Sequence, residues 1–314
     1  MTVRPSLSLV VPLFNERESL APLKQAIDSA LAGLGRNAEI LFIDDGSRDG
    51  SFEEIERLAA SDPRVRAIRF RRNYGKAAAL AVGFAQAEGD IVVTLDADLQ
   101  DDPKEIPNLI AKVESGVDVV SGWKRKRRDP LSKTIPSRLF NWVVARATGI
   151  PIHDMNCGLK AYRAEVVKEI NLYGELHRYI PVLASWRGYT VGEIPVEHHP
   201  RRSGKSKYGP WRFVAGFLDL LTIMMLSRFS LKPLHLFGSV GLVMGFAGTL
   251  VNLYLVGLRL HYGNIQGRTP LLMLGVLLII VGIQFLSTGL LAELIARSLS
   301  RGKTEYSVER RIPS

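Results

Sequence analysis

The sequence predicts an α/β domain built on a mostly parallel sheet, followed by a hairpin of two apolar helices. Three observations carry this. Short apolar runs alternate with helix-like stretches through residues 1–212. Each of these runs ends in polar or acidic residues. Beyond residue 230, two long stretches carry no Asp, Glu, Lys or Arg.

The first run, "LSLVVPLFN", ends at Pro12 and Asn15; the second, "AEILFIDDGS", at Asp44 and Asp45; the third, "DIVVTLDAD", at Asp96 and Asp98. Between them, "ESLAPLKQAIDSALAGLG", "DGSFEEIERLAAS" and "KAAALAVGFAQAEG" space their apolar residues as helices do. Continuously apolar strands alternating with helices form parallel sheets buried on both faces. Ligands bind such sheets outside the carboxyl ends of the strands, so the acidic ends converge on one crevice.

The C-terminal stretches are Leu234 to Leu258, 25 residues, and Pro270 to Ala292, 23 residues. Either can cross a hydrocarbon core of ~30 Å at ~1.5 Å per residue. The short linker "RLHYGNIQGRT" makes them a hairpin with both termini on one side. The basic tail "ARSLSRGKTEYSVERR" places that side in the cytoplasm. The N-terminal apolar run is too short for a cleavable signal and lacks a small-residue cleavage site. Two further stretches, "SRLFNWVVARATG" and "WRFVAGFLDLLTIMMLSRF", fit helices lying in the membrane interface or packing between subunits; Asp219 argues against a third span. The expected organisation is a cytoplasmic domain over 1–212, an interfacial helix over 213–230, the spans within 231–297 and a cytoplasmic tail over 298–314, in the inner membrane.

The net charge of +10 implies an anionic partner. A nucleic-acid binder would account for it, but basic runs beside apolar spans are explained better by lipid phosphates. Cys157 is the one cysteine, which rules out an internal disulfide and a cysteine-rich zinc site.

The chemistry concentrates in "TLDADLQDDP". Asp96 and Asp98, two apart at an extended strand end, point the same way. Adjacent carboxylates repel unless a cation lies between them or they share a proton. With the Gln100 amide they form an oxygen-only donor set, which suits Mg²⁺ or Mn²⁺. Because Mg²⁺ is usually shared with substrate phosphates, a phosphorylated ligand is expected. Asp101 and Asp102 fit the start of the next helix, "DDPKEIPNLI". No GxGxxG follows the first strand and no GxxxxGK[ST] occurs, so phosphate must be handled by the metal and by basic side chains.

Together, "VVPLFNE", "IDDGSRDGS", "RNYGKAAAL" and "TLDADLQDDP" resemble an inverting glycosyltransferase of family 2 with the GT-A fold. "DADLQ", "DMNCGLKAYR" and "RRSGKSKYG" are similar to the polyprenyl-phosphate glycosyltransferases: dolichyl-phosphate mannose synthases and bacterial bactoprenol glucosyltransferases. The two C-terminal spans fit the bacterial branch.

The resemblance implies roles at matching positions. Pro12, Phe14, Asn15 and Glu16 would contact the nucleotide, and Asp44 its uracil or ribose. Asp98 and Gln100 would hold the divalent ion with the donor diphosphate, and Asp96 would lie nearest the reacting centre. Whether Asp96 acts as a base stays open, since a phosphate acceptor arrives ionised. Lys124, Lys133, Ser137 and Arg138 match acceptor-phosphate positions within "WKRKRRDPLSKTIPSR", while Arg125 to Arg128 suit anionic head groups. Arg201 and Lys207 match the pattern R-x-x-G-x-S-K and would clamp the donor diphosphate from a mobile loop with Gly204 as its flexible point. Asp154 and Asn156, with Lys160, would line the sugar and acceptor side. Cys157 reads as a packing residue rather than a nucleophile. His153 is a pocket residue or merely a loop residue.

The expected function is transfer of one sugar, with UDP-glucose as first donor, to a polyprenyl phosphate such as undecaprenyl phosphate. A GDP-mannose-dependent enzyme is the alternative. A processive polysaccharide synthase is disfavoured by "SWRGY" in place of Q-x-x-R-W and by only two spans; a silent nucleotide-binding module is disfavoured by intact "DADLQ" and "RSGKSK". A homotetramer is compatible with a two-span anchor.

Overall fold

The computed structural model describes residues 5–125, 141–199 and 233–299, apart from positions 143, 147, 151, 173, 175 and 266. The chain divides into two units, 1–215 and 216–314.

The first unit runs β1 (Leu7–Leu13), α1 (Arg17–Leu31), β2 (Ala38–Asp44), α2 (Ser51–Ser61), β3 (Val65–Arg69), α3 (Lys76–Gln86), β4 (Ile91–Thr94), a 3-10 turn (Pro103–Glu105), α4 (Ile106–Glu114) and β5 (Val119–Trp123). It continues with β6 (Lys160–Arg163), α5 (Ala164–Glu169), a second 3-10 turn (Leu176–Tyr179), α6 (Ile180–Trp186) and β7 (Val191–Pro195). The strands form one sheet in the order β3-β2-β1-β4-β6-β5-β7.

The central strands β1, β2 and β4 are buried on both faces, which is why they read as continuous apolar runs. On one face Leu7, Leu9 and Val11 of β1 share a core with Leu20, Leu23 and Ile27 of α1. On the other, Val10 joins Leu41, Ala79, Leu80 and Phe84. Phe84 meets Tyr162 edge to face, with ring centroids 5.5 Å apart.

The sheet is parallel except at β6, which runs antiparallel between β4 and β5. Periodicity does not reveal this reversal. β5 ends, and β6 begins, at the same edge of the sheet, so no crossover is required. Lys160, the first residue of β6, pairs with both Thr94 and Ser121 and thus lies between the ends of β4 and β5. The carboxyl ends of β1 to β5 and β7 open on that edge.

The described positions from 141 to 148 are helical, with Trp142 exposed and Val144 buried, as an amphipathic helix requires. The expected interfacial stretch 213–230 and residues 300–314 lie outside the described residues.

In the second unit, α7 (Pro233–Tyr262) and α8 (Thr269–Leu299) pair as a hairpin. Both are long and apolar enough to cross a membrane. Their backbones touch through glycine: a Cβ on Gly241 would lie 2.6 Å from the Gly282 carbonyl oxygen, and one on Gly248 would lie 2.5 Å from that of Gly275. Small residues permit this approach where lipid offers no hydrophobic driving force between helices. Leu242, Val243, Phe246, Leu253 and Leu294 face outward, an arrangement water would penalise and hydrocarbon accepts.

Candidate active site

The loops at the carboxyl edge are tied to one another by backbone and side-chain bonds. The loop after β1 is clasped to the loop after β2. The Asn15 N–H donates to Ser47 Oγ (2.8 Å), the Arg48 N–H to Asn15 Oδ1 (2.9 Å) and the Glu16 N–H to Ser51 Oγ (3.0 Å). Pro12 is buried within β1, while Phe14, Asn15 and Glu16 are half-buried at its end. Asp44 is fully buried; its Oδ1 accepts the Ser47 N–H (2.9 Å) and its Oδ2 lies 3.6 Å from Arg69 Nε. Asp45 accepts the N–H groups of Tyr74 (2.7 Å) and Gly75 (2.9 Å) and so fixes the start of α3, which carries Lys76. Burial pushes the Asp45 carboxyl up, against the pull of those two N–H groups.

Lys76 reaches across to form an ion pair with Asp96 Oδ1. Burial alone would raise the Asp96 carboxyl. Lys76, which also hydrogen-bonds it, together with Lys124 and Lys160 outweighs burial and holds it below the usual range. Gly158 backs this carboxylate so closely that a Cβ there would stand 2.3 Å from Asp96 Oδ2. Lys160 is buried, and its Nζ donates to the carbonyl oxygens of Met155 (3.3 Å) and Cys157. Burial pushes this ammonium down. Burial likewise drives His177 down to about 2, so its imidazole is neutral.

Asn15 (φ 54°) and Leu99 (φ 58°) are the non-glycine residues at positive φ among the described residues, and both belong to this edge. For leucine that conformation costs about 1–3 kcal/mol. Packing of Leu99 against the core offsets it. The kink brings the Gln100 N–H to Asp98 Oδ1 (3.2 Å), with both side chains half-buried at the crevice. These oxygen donors fit a hard divalent ion.

Next to them stands a second donor group, Asp102, Glu197 and His199, whose ligating atoms lie within 4.8 Å of one another. Within it His199 Nε2 is 3.2 Å from Asp102 Oδ2.

The two acids after Gln100 part company. Asp102 caps the 3-10 turn by accepting the Lys104 N–H (3.0 Å), as the helix-start reading requires. Asp101 does not: it is 1% exposed and pairs with Lys124 Nζ at 2.7 Å. Burial would lower the Lys124 ammonium, but the Asp101 carboxylate, with Asp96, holds it above its ordinary value.

In the segment expected to line the sugar and acceptor side, Asp154 is buried and accepts the Asn156 N–H (3.1 Å) within its own loop, while the Asn156 side chain is exposed. Cys157 is buried, and burial pushes its thiol up to about 12. An unionised, enclosed thiol packs and does not attack. His153 is exposed, stacks on Trp123 (4.3 Å between centroids) and takes the Glu193 carboxylate on its N–H and ring.

Lys133, Ser137, Arg138, Arg201, Gly204 and Lys207 lie outside the described residues. Reading by motif overlooked Lys76, Gly158 and the inward turn of Asp101. Lys76 stands next to Gly75 in "RNYGK", a stretch whose local pattern does not show which charge the lysine meets.

The family model for glycosyl transferase family 2 matches residues 8–171. The chain is 40% identical over 303 residues to the dodecaprenyl-phosphate galacturonate synthase of Rhizobium johnstonii, covering 94% of this chain and 89% of that protein. It is 40% identical over 309 residues to the undecaprenyl-phosphate 4-deoxy-4-formamido-L-arabinose transferase of Shewanella sediminis, covering 96% and 91%. In fold it is similar to glucosyl-3-phosphoglycerate synthase of Mycobacterium tuberculosis, solved with Mn²⁺, UDP-glucose and phosphoglyceric acid. There the TM-score is 0.53 at 17% identity, over 71% of this chain and 79% of that one.

Proposed function

Since the chain belongs to glycosyl transferase family 2, we propose that it moves one sugar from a nucleoside diphosphate to a polyprenyl phosphate, with inversion. The names of the two relatives, a dodecaprenyl-phosphate galacturonate synthase and an undecaprenyl-phosphate 4-deoxy-4-formamido-L-arabinose transferase, support the acceptor. The observation that carries the reading is the charge arrangement at the centre. Asp96, the acid nearest the reacting position by resemblance, is already committed to Lys76 and flanked by Lys124 and Lys160. A carboxylate so compensated is a poor proton acceptor. A phosphate acceptor does not need one, because its oxygen arrives as an anion.

That oxygen forms a bond to the anomeric carbon as the bond to the diphosphate breaks, and the nucleoside diphosphate leaves with the electron pair. No proton changes hands. Lys124 offers positive charge to the incoming phosphate. Asp98 and Gln100 would hold a divalent ion, Mg²⁺ or Mn²⁺, which supplies positive charge for the leaving diphosphate. Pro12, Phe14, Asn15, Glu16 and Asp44 form the nucleotide side. By resemblance, Arg201 and Lys207 would contact the donor diphosphate, and Lys133, Ser137 and Arg138 the acceptor phosphate. The α7–α8 hairpin anchors the enzyme in the inner membrane with residues 1–212 on the cytoplasmic side.

UDP-glucose is the first donor to test; the relatives extend the panel to galacturonate and 4-deoxy-4-formamido-L-arabinose. Purified full-length protein with undecaprenyl phosphate, Mn²⁺ and labelled UDP-glucose is expected to label the lipid. Labelling by UDP-galacturonate, UDP-4-deoxy-4-formamido-L-arabinose or GDP-mannose instead removes glucose but keeps the reaction class. No labelled lipid with any donor rejects the proposal.

A further inference from the structure

The loop that carries Asp98 and Gln100 ends in a buried acid, Asp101, to which the reaction assigns no task and which does not start the next helix as its sequence suggests. Asp101 sits where three segments cross. Its backbone bridges His198, and the neighbouring Gln100 carbonyl accepts the His199 N–H (2.8 Å). The carbonyl of Trp123, which immediately precedes Lys124, accepts the Val196 N–H (2.9 Å). The Asp101 carboxylate lies in the middle, 2.7 Å from Lys124 Nζ and 4.0 Å from His198 Nδ1.

Such a place suits neither charge alone. A solitary buried ammonium sheds its proton and a solitary buried carboxylate takes one up, whereas the pair keeps both charges. A lysine stem also has many rotamers, and a partner on a rigid loop selects one. The Lys124 side chain is 13% exposed, so its ammonium meets the crevice from a fixed position rather than sweeping through solvent.

We propose that Asp101 is the positioning residue for Lys124: it holds the ammonium ready for the acceptor phosphate and joins that cation to the loop bearing the donor-side residues Asp98 and Gln100. The inference rests on the reading of Lys124 as an acceptor-phosphate group. It differs from a merely structural ion pair in what it does to kinetics. A structural pair, when broken, lowers stability and scales turnover down for both substrates. A positioning residue moves the acceptor KM and spares the donor.

The test compares Asp101→Asn, Lys124→Met and the double variant, as full-length protein in vesicles containing undecaprenyl phosphate. Each single variant is expected to raise the acceptor KM by about tenfold to a hundredfold, the value of one charge-assisted hydrogen bond. The donor KM should stay within about twofold, and the double variant should be no worse than the poorer single one, because the two residues act as a unit. An unchanged acceptor KM in Asp101→Asn, or losses that multiply in the double variant, overturns the inference. Should Asp101→Asn alone fail to fold, the double variant is compared with Lys124→Met, the matched loss of both charges relieving the buried imbalance. Equal acceptor KM values support the proposal and a further rise overturns it. If Lys124→Met leaves the acceptor KM unchanged, this inference and the role of Lys124 both fall, while lipid labelling by the wild type would still uphold the transferase reading.

Discussion

Replacing Gly158 with alanine adds one methyl group at the back of the Asp96 carboxylate. Gly158 occupies a backbone conformation open to any residue, so the added cost is steric contact rather than strain. The new Cβ would stand 2.3 Å from Asp96 Oδ2 and 2.5 Å from its Cγ, where ordinary contact begins at 3.4 Å. The carboxylate must therefore retreat by about 1 Å, and a misplacement of that size near a reacting centre costs about a hundredfold in rate. In barrier terms this is about 2.7 kcal/mol, at roughly 1.36 kcal/mol per tenfold. Overpacking at one site costs about 1–3 kcal/mol of stability, so the variant should remain folded. Initial rates of lipid labelling, paired with thermal unfolding of the same preparation, read both effects. A folded Gly158→Ala protein that labels lipid within about twofold of wild type would show that the Asp96 position does not govern the reaction, and the placement of the centre would be wrong.

Lys76→Met removes the cation committed to Asp96 and should lower kcat by about tenfold to a hundredfold, with Lys76→Arg recovering part of the rate in the same assay. Chelation of divalent ions should stop turnover, and Asp98→Ala should abolish Mn²⁺-dependent nucleotide binding by calorimetry; retention of that binding in Asp98→Ala with its loss in Asp102→Ala would move the ion to the Asp102, Glu197 and His199 group. His177 sets an acid sensitivity. Its imidazole is held down to about 2 in the fold against about 6.5 in an unfolded chain, so below pH 6.5 the unfolded state alone takes the proton and stability falls as pH falls. Between pH 6.5 and 5 the wild type should lose up to about 2 kcal/mol more than His177→Gln, at roughly 1.4 kcal/mol per pH unit; equal losses in denaturant titrations at the two pH values would refute the burial argument.

Local pattern was enough to read the three central strands, the helices between them and the two apolar helices. Apolar periodicity reports burial directly, and β1, β2 and β4 are buried on both faces. The carboxyl-edge site was legible for a related reason: a strand end with several acids has few neutral explanations. Asp98 and Gln100 follow β4 at the carboxyl edge and are half-buried there. What pattern could not carry was direction. The reversal of β6 leaves no periodic trace, yet it delivers Lys160 and Gly158 to the floor beneath Asp96.

Sequence by itself determined the class of the fold, the acidic crevice, the two apolar helices and the kinship of the motifs, because each depends on residue type and short-range spacing. Tertiary structure alone decided which charge meets which. Lys76 reaches Asp96 across 20 positions, and Lys124 reaches Asp101 across 23. In sequence Asp101 and Asp102 are adjacent and alike. In the fold one is 1% exposed beside an ammonium and the other, half-buried, caps a turn. The physical reason is that a buried charge is tolerated only with its partner in place, and the partner is brought by the sheet, not by the neighbouring residues.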